Sequence, residues 1–144
     1  MVQKKKYTDE EITRLDWNQI IVFGSNEAGV HGAGAALTCK NLFGAKEGEI
    51  GFTGQCYGLS TKDHKIRTLP LDDIKETVKE FYANAIIYQS KFEQVEFLVT
   101  KIGCGLAGYT VEQIGKIFAD IEKQYADLGW DTSFIILPKE FCEQ

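Results

Sequence analysis

The sequence predicts an α/β domain in three layers, a central sheet with helices on both faces. Three observations carry that expectation. Short apolar runs that read as buried strands alternate with long amphipathic stretches that read as helices. Two glycine-rich loops, Phe23–Ala36 and Ile102–Gly108, each join such a strand to a helical stretch. The chain has 144 residues, which suits a single domain over 1–144 with a sizeable core.

The elements follow in order. Thr8-Asp-Glu-Glu11 has the form of a capping box, which predicts a short helix over Asp9–Leu15. Gln19–Phe23 is a strand, and Gly34–Phe43 is a helix ended by Gly44. Gln55–Ser60 is the next strand. Pro70, with Asp72 as capping residue, opens an amphipathic helix with Ile74, Val78, Phe81, Ala85 and Tyr88 along one face. Glu96–Ile102 is then a strand. Val111–Leu128 is a second long helix through Val111, Ile114, Phe118, Ile121 and Tyr125. Ser133–Leu137 closes the chain as a strand. Ligands of such folds gather at the carboxyl ends of the strands, where both glycine loops fall.

Composition narrows the function classes. The net charge of −5 gives no general attraction for nucleic acid or an anionic membrane. Lys4–Lys6 is the only basic run and reads as a solvated tail. No apolar run approaches the roughly 20 residues that span a bilayer, and the first residues lack a signal-peptide pattern. Cys39, Cys56, Cys104 and Cys142 form no CxxC, so they read as reduced thiols of a cytoplasmic protein. No metal or other cofactor is expected.

A glycine loop between strand and helix exposes backbone N–H groups beside the positive end of a helix dipole, which suits phosphate. Two such loops suggest a ligand with two phosphates, or with a phosphate and a sugar. Gly103-Cys-Gly-Leu-Ala-Gly108 also matches the dinucleotide fingerprint GxGxxG. That fingerprint opens on a first strand and needs further strand–helix units. Only 36 residues follow Gly108, so the loop reads as the phosphate cradle of another fold.

These residues resemble the macrodomains, a family that binds and processes ADP-ribose. Ile20-Ile-Val-Phe-Gly-Ser-Asn26 is similar to the macrodomain strand that ends in asparagine. Gly32-Ala-Gly-Ala-Ala36 is similar to the glycine loop around the diphosphate and distal ribose. Ile102-Gly-Cys-Gly-Leu-Ala-Gly-Tyr109 is similar to the second phosphate loop. The resemblance runs from about Ile20 to Leu137 and implies an α/β/α domain with a central mixed sheet. Within the family, Gly32-Ala-Gly34, Leu42-Phe-Gly44, Leu59-Ser-Thr-Lys62 and Ile102-Gly-Cys-Gly-Leu106 are most similar to the terminal ADP-ribose protein glycohydrolases.

The resemblance implies a ligand set of Gly24, Ser25, Asn26, Gly32, Ala33, Gly34, Ala35, Gly103, Cys104, Gly105, Leu106, Ala107, Gly108 and Tyr109. The ligand would be ADP-ribose or a derivative, either free or carried by an ADP-ribosylated protein. In the glycohydrolases, the lysine matching Lys62 attacks the anomeric carbon of the distal ribose. An aspartate directly after Gly-Cys-Gly-Leu then helps resolve the adduct. Here that position is Ala107.

The candidate catalytic residues are Asn26, His31 and Lys62. Lys62 is open between a solvent-exposed lysine, a charge beside phosphate or ribose, and a nucleophile. Asn26 is open between a ribose contact and a turn residue. His31, with an ordinary pKa of roughly 6.5, is open between acid–base work and a surface position. Glu27 is the nearest carboxylate. Cys104 reads as a small loop residue, and Tyr109 as either a ribose contact or a packing residue. Glu11-Ile-Thr13 is only faintly similar to the pattern that reads adenine, and no adenine contact is assigned. Three function classes stay open: cleavage of an ADP-ribosyl bond or of a phosphate of an ADP-ribose derivative, non-catalytic reading of free or attached ADP-ribose, and sensing of a different nucleotide.

Overall fold

The computed structural model describes residues 6–29, 34–104 and 107–142. Five strands, β1 (Gln19–Asn26), β2 (Gly51–Thr53), β3 (Cys56–Lys62), β4 (Glu96–Val99) and β5 (Ile135–Ile136), form one mixed sheet. Its order is β2-β3-β1-β4-β5. β1 pairs in parallel with β3 and β4, β4 pairs in parallel with β5, and β2 runs antiparallel to β3. Four helices complete the fold: α1 (Gly34–Leu42), α2 (Leu71–Lys91), α3 (Val111–Asp127) and α4 (Lys139–Cys142).

Alternation along β1 divides the core. Ile20 and Val22 pack with α2 and α3 through Ile74, Phe81, Ile114 and Phe118. Ile21 and Phe23 point the other way and pack with Ala36 and Cys39 of α1. This is the period of two expected of a strand buried on both faces. The larger core is aromatic. Phe81 meets Phe97 edge to face at 5.5 Å, and Tyr82 stacks on Tyr125 at 5.8 Å. Such pairs add about 0.5–1.5 kcal/mol beyond area burial.

The two long helices form where their apolar spacing places them, since Ile74, Val78, Phe81, Ala85, Ile114, Phe118 and Ile121 are all buried. α3 is opened by a capping box. The Thr110 hydroxyl accepts from the Gln113 N–H at 3.1 Å, and Gln113 Oε1 accepts from the Thr110 N–H at 3.0 Å. α2 is different from expectation: its cap is Pro70, which lends no side chain, and Asp72 lies inside the first turn.

Other expectations are corrected. No helix forms over Asp9–Leu15. The Thr8 hydroxyl that would cap it donates instead to the Ile136 carbonyl at 3.0 Å, and Thr8 N–H donates to Leu137 O at 3.0 Å. The segment is therefore anchored to β5 at Thr8, and Ile12 and Leu15 lie against the core beside α1. The strand expected over Glu96–Ile102 stops at Val99, because Thr100 turns its hydroxyl onto Val22 O at 2.8 Å. Ser133–Leu137 contracts to Ile135–Ile136, after Asp131 Oδ1 accepts from Ser133 N–H at 2.9 Å and forms a turn. β1 and β3 extend beyond Phe23 and Ser60 to Asn26 and Lys62, and β2 and α4 are additional elements. Among the described residues, no helix is long and apolar enough to cross a membrane.

Candidate functional site

A cavity of about 700 Å³ opens at the carboxyl ends of the three central strands. Gly24, Ser25 and Asn26 come to it from β1, and Thr61 and Lys62 from β3. Thr100, Lys101, Ile102 and Gly103 follow β4. Gly34, Ala35 and Ala36 form the first turn of α1, and Ala107 belongs to the second glycine loop. On the side of β5 the wall is Thr8, Asp9, Glu10 and Pro138.

The parallel ladder between β1 and β3 is irregular at the cavity. Ser25 stands opposite Ser60, but Asn26 stands opposite Lys62. Thr61 is the extra residue, and its hydroxyl donates to the Ser25 carbonyl at 3.3 Å. An extra residue of this kind bends a strand and re-aims side chains, and it is frequent beside functional sites. Beyond it, the Glu27 N–H donates to Lys62 O at 3.0 Å. Lys62 is half-buried and makes no ion pair among the described residues. Asn26 is buried.

The glycines differ in why they are glycines. Gly103 has φ 76°, a left-handed conformation that favours glycine, and a Cβ there would also press on Ile114 Cδ1 at 2.9 Å. Gly24 has no such constraint. A Cβ would meet Ile102 Cβ at an ordinary 3.6 Å, so packing leaves the residue free to be larger. Its bare backbone faces the cavity.

Charge at the cavity is split by position. Lys101 is bound by Glu10 at 3.1 Å and Glu140 at 3.5 Å, and these carboxylates hold it above the usual lysine range. Lys62 lies at the end of β3, while the Glu10 carboxylate is held by Lys101, which follows β4. Among the described residues no group of three or more His, Cys, Asp or Glu side chains converges on a metal site.

The loop after β3 forms the remaining wall. Asp63 Oδ1 accepts from the N–H groups of Lys65 at 2.8 Å and Arg67 at 2.9 Å, while Oδ2 accepts from Arg67 Nε at 2.9 Å. These donors, the Arg67 backbone first, hold the Asp63 carboxyl below its ordinary range. Within this loop Ile66 has φ 62° and lines the cavity. A left-handed conformation costs an L-residue about 1–2 kcal/mol.

Of the residues expected at the site, Gly24, Ser25, Asn26, Gly34, Ala35, Lys62, Gly103 and Ala107 line this one cavity. Cys104, Gly108 and Tyr109 stand outside its lining. Cys104 packs against the larger core, and burial pushes its thiol up to about 11. The Tyr109 hydroxyl is spent on the Leu69 carbonyl at 2.7 Å. His31, Gly32, Ala33, Gly105 and Leu106 lie outside the described residues. Glu27 is exposed and faces His64, with 3.6 Å between Oε2 and Nδ1, and neither lines the cavity. Sequence reasoning did not find Thr8, Asp9, Glu10, Thr61, Ile66, Thr100, Lys101 or Pro138. Only the sheet order brings most of these to the site, and Glu11, the acidic residue weighed for adenine, is not among them.

Compared with protein-family models, curated proteins and solved structures, the chain matches none of them.

Proposed function

We propose that the cavity binds ADP-ribose or a close derivative, in a three-layer, macrodomain-like domain. The observation that carries this reading is the convergence of two glycine loops on one cavity. Gly24, Gly34 and Ala35 from the first loop face Gly103 and Ala107 from the second. A diphosphate between them is held by backbone N–H groups and by the positive end of α1, with no basic surface needed. Hydrogen bonds to such a charged group contribute about 1.5–3 kcal/mol each. That explains how a chain of net charge −5 holds an anion. The cavity volume of about 700 Å³ lies within the range of small-molecule sites. In this reading the distal ribose lies against Asn26 and Lys62.

Binding without turnover is favoured by one residue. Ala107 occupies the position where the resembling glycohydrolases carry their resolving aspartate, and it does line the cavity. Of the described carboxylates of the lining, Asp9 and Glu10, the latter is taken up by Lys101 at 3.1 Å. Hydrolysis of an ADP-ribosyl linkage is the second reading. It is favoured by the placement of Asn26 opposite Lys62 at the cavity.

Calorimetric titration with ADP-ribose, ADP, AMP and NAD tests the proposal. ADP-ribose is expected to bind in the micromolar range, about −8 kcal/mol, and more tightly than AMP. Equal affinity for AMP would refute the two-loop reading, because one phosphate fills only one cradle.

A further inference from the structure

Among the described residues, Ile66 is the only non-glycine residue with positive φ, at 62°. A β-branched side chain resists that conformation, and glycine or asparagine adopts it more readily. Folding does not account for isoleucine here. The side chain is 44% exposed, so it adds little to the core. The turn is made by its neighbours. Asp63 accepts from Lys65 N–H, Arg67 N–H and Arg67 Nε, and its own N–H donates to Arg67 O at 2.8 Å. Ile66 contributes only its N–H, which donates to Asp63 O at 3.0 Å and which any residue but proline supplies. Both ends of the loop are fixed as well. Lys62 bridges Thr68, and the Thr68 hydroxyl donates to Ala107 O at 3.1 Å.

What the conformation achieves is placement. It puts an aliphatic side chain in the cavity lining, four residues beyond Lys62. Among the described residues, the other large apolar ones of that lining, Ile102 and Pro138, are buried, so of these Ile66 offers the open apolar surface. Strained residues persist where the surroundings force them, and they cluster at ligand clamps.

We propose that Ile66 is a specificity wall for the group joined to the distal ribose. The site then prefers ADP-ribose carried on a protein side chain to free ADP-ribose. This rests on the ADP-ribose reading of the cavity. With the distal ribose against Asn26 and Lys62, whatever is attached to it extends toward the 63–67 loop. The methylene stem of an ADP-ribosylated side chain covers Ile66 and is itself covered, removing apolar area from water on both partners. Free ADP-ribose has no such stem.

The test is calorimetry on the full chain with two probes, ADP-ribose and a short peptide ADP-ribosylated on one arginine, with the unmodified peptide as control. The modified peptide is expected to bind at least tenfold more tightly than ADP-ribose. Ile66→Asn keeps the left-handed backbone and removes the aliphatic surface, so this ratio is expected to fall below two. Ile66→Val, which retains a branched aliphatic group, is expected to keep the ratio within threefold of the native value. Equal native affinities for both probes, a ratio untouched by Ile66→Asn, or binding of the unmodified peptide as tight as the modified one would each overturn the inference. If the native protein binds neither ADP-ribose nor the modified peptide, the reading of the cavity itself fails and this inference fails with it.

Discussion

Asn26 and Lys62 are opposite one another across the β1–β3 ladder only because Thr61 is an extra residue in β3. In a regular parallel register Asn26 would have met Thr61, and Lys62 would have been one place beyond the end of β1. The irregularity thus brings an amide and an ammonium group to the same edge of one cavity. These are two residue types suited to the hydroxyls and phosphates of a ribosyl ligand.

The first prediction concerns Gly24. Its Cβ position is sterically open, with Ile102 Cβ at 3.6 Å, and strands disfavour glycine. Gly24→Ala should leave stability within about 1 kcal/mol of the native protein, since β-propensity differences span about that range. ADP-ribose affinity should fall about tenfold, because the added methyl group holds the ligand off the backbone. Chemical denaturation and calorimetry on the same samples separate the two effects. Unchanged affinity would show that Gly24 is not part of a cradle.

Cys104 is the subject of the second. With its thiol pushed up to about 11 by burial, about one molecule in 10⁴ carries the thiolate at pH 7. Cys104→Ser should therefore bind ADP-ribose within about twofold of the native protein. At pH 7, mass spectrometry should find Cys104 alkylated by iodoacetamide more slowly than a free cysteine. Rapid, selective modification of Cys104 would contradict the buried-thiol account.

The third uses pH. The Asp63 carboxyl lies below its ordinary value of 3.8 when folded, because Arg67 and Lys65 donate to it. A lowered folded value means that the loop is stabilised above the unfolded value, near 3.8, and loses that support as pH falls through the folded one. Protection factors of the Ile66 and Arg67 amides, taken relative to the intrinsic exchange rate at each pH, should thus fall below pH 4, ahead of those in α2 and α3. Asp63→Asn should show the faster exchange already at pH 7. If exchange at these amides is the same in Asp63→Asn and the native protein, Asp63 does not hold the loop.

How much of this was legible in the sequence depends on the range of the interaction involved. α2 and α3 were legible because their apolar residues recur at the helical spacing, and Ile74, Val78, Phe81, Ile114, Phe118 and Ile121 are buried as that spacing requires. β2 was not, since three residues carry no period and only pairing with β3 defines them. Thr8 misled because a hydroxyl three residues before a glutamate serves a helix cap or a distant carbonyl equally well. Here Ile136 O, 128 residues away, takes it. The same division holds at the site. Gly24, Asn26, Gly34 and Gly103 were found because a glycine loop after a strand is a local signal. Asp9, Ile66, Lys101 and Pro138 were missed because nothing in the 8–10 segment, the 63–67 loop or the residues just after β4 and β5 announces a cavity that the sheet order assembles.

The last prediction joins Lys62 and Ala107, which line the same cavity from β3 and the second glycine loop. Ala107 O already accepts from the Thr68 hydroxyl at 3.1 Å, so its backbone is fixed relative to the hairpin that carries Lys62. A lysine that attacks an anomeric carbon forms an adduct. Its resolution needs a group to move a proton, and alanine supplies none. The native protein should therefore remove little or no glutamate-linked ADP-ribose from a modified peptide. Ala107→Asp should gain measurable removal, since general acid–base assistance is typically worth about 10² to 10⁴ in rate. Adding Lys62→Ala to Ala107→Asp should abolish the gain, while Lys62→Ala alone should weaken ADP-ribose binding about tenfold or more through loss of a charged hydrogen bond. Release of ADP-ribose, followed by chromatography, reads all four proteins. Efficient hydrolysis by the native protein that survives Lys62→Ala would defeat the lysine scheme. Water activated beside Asn26 would then be the mechanism to pursue.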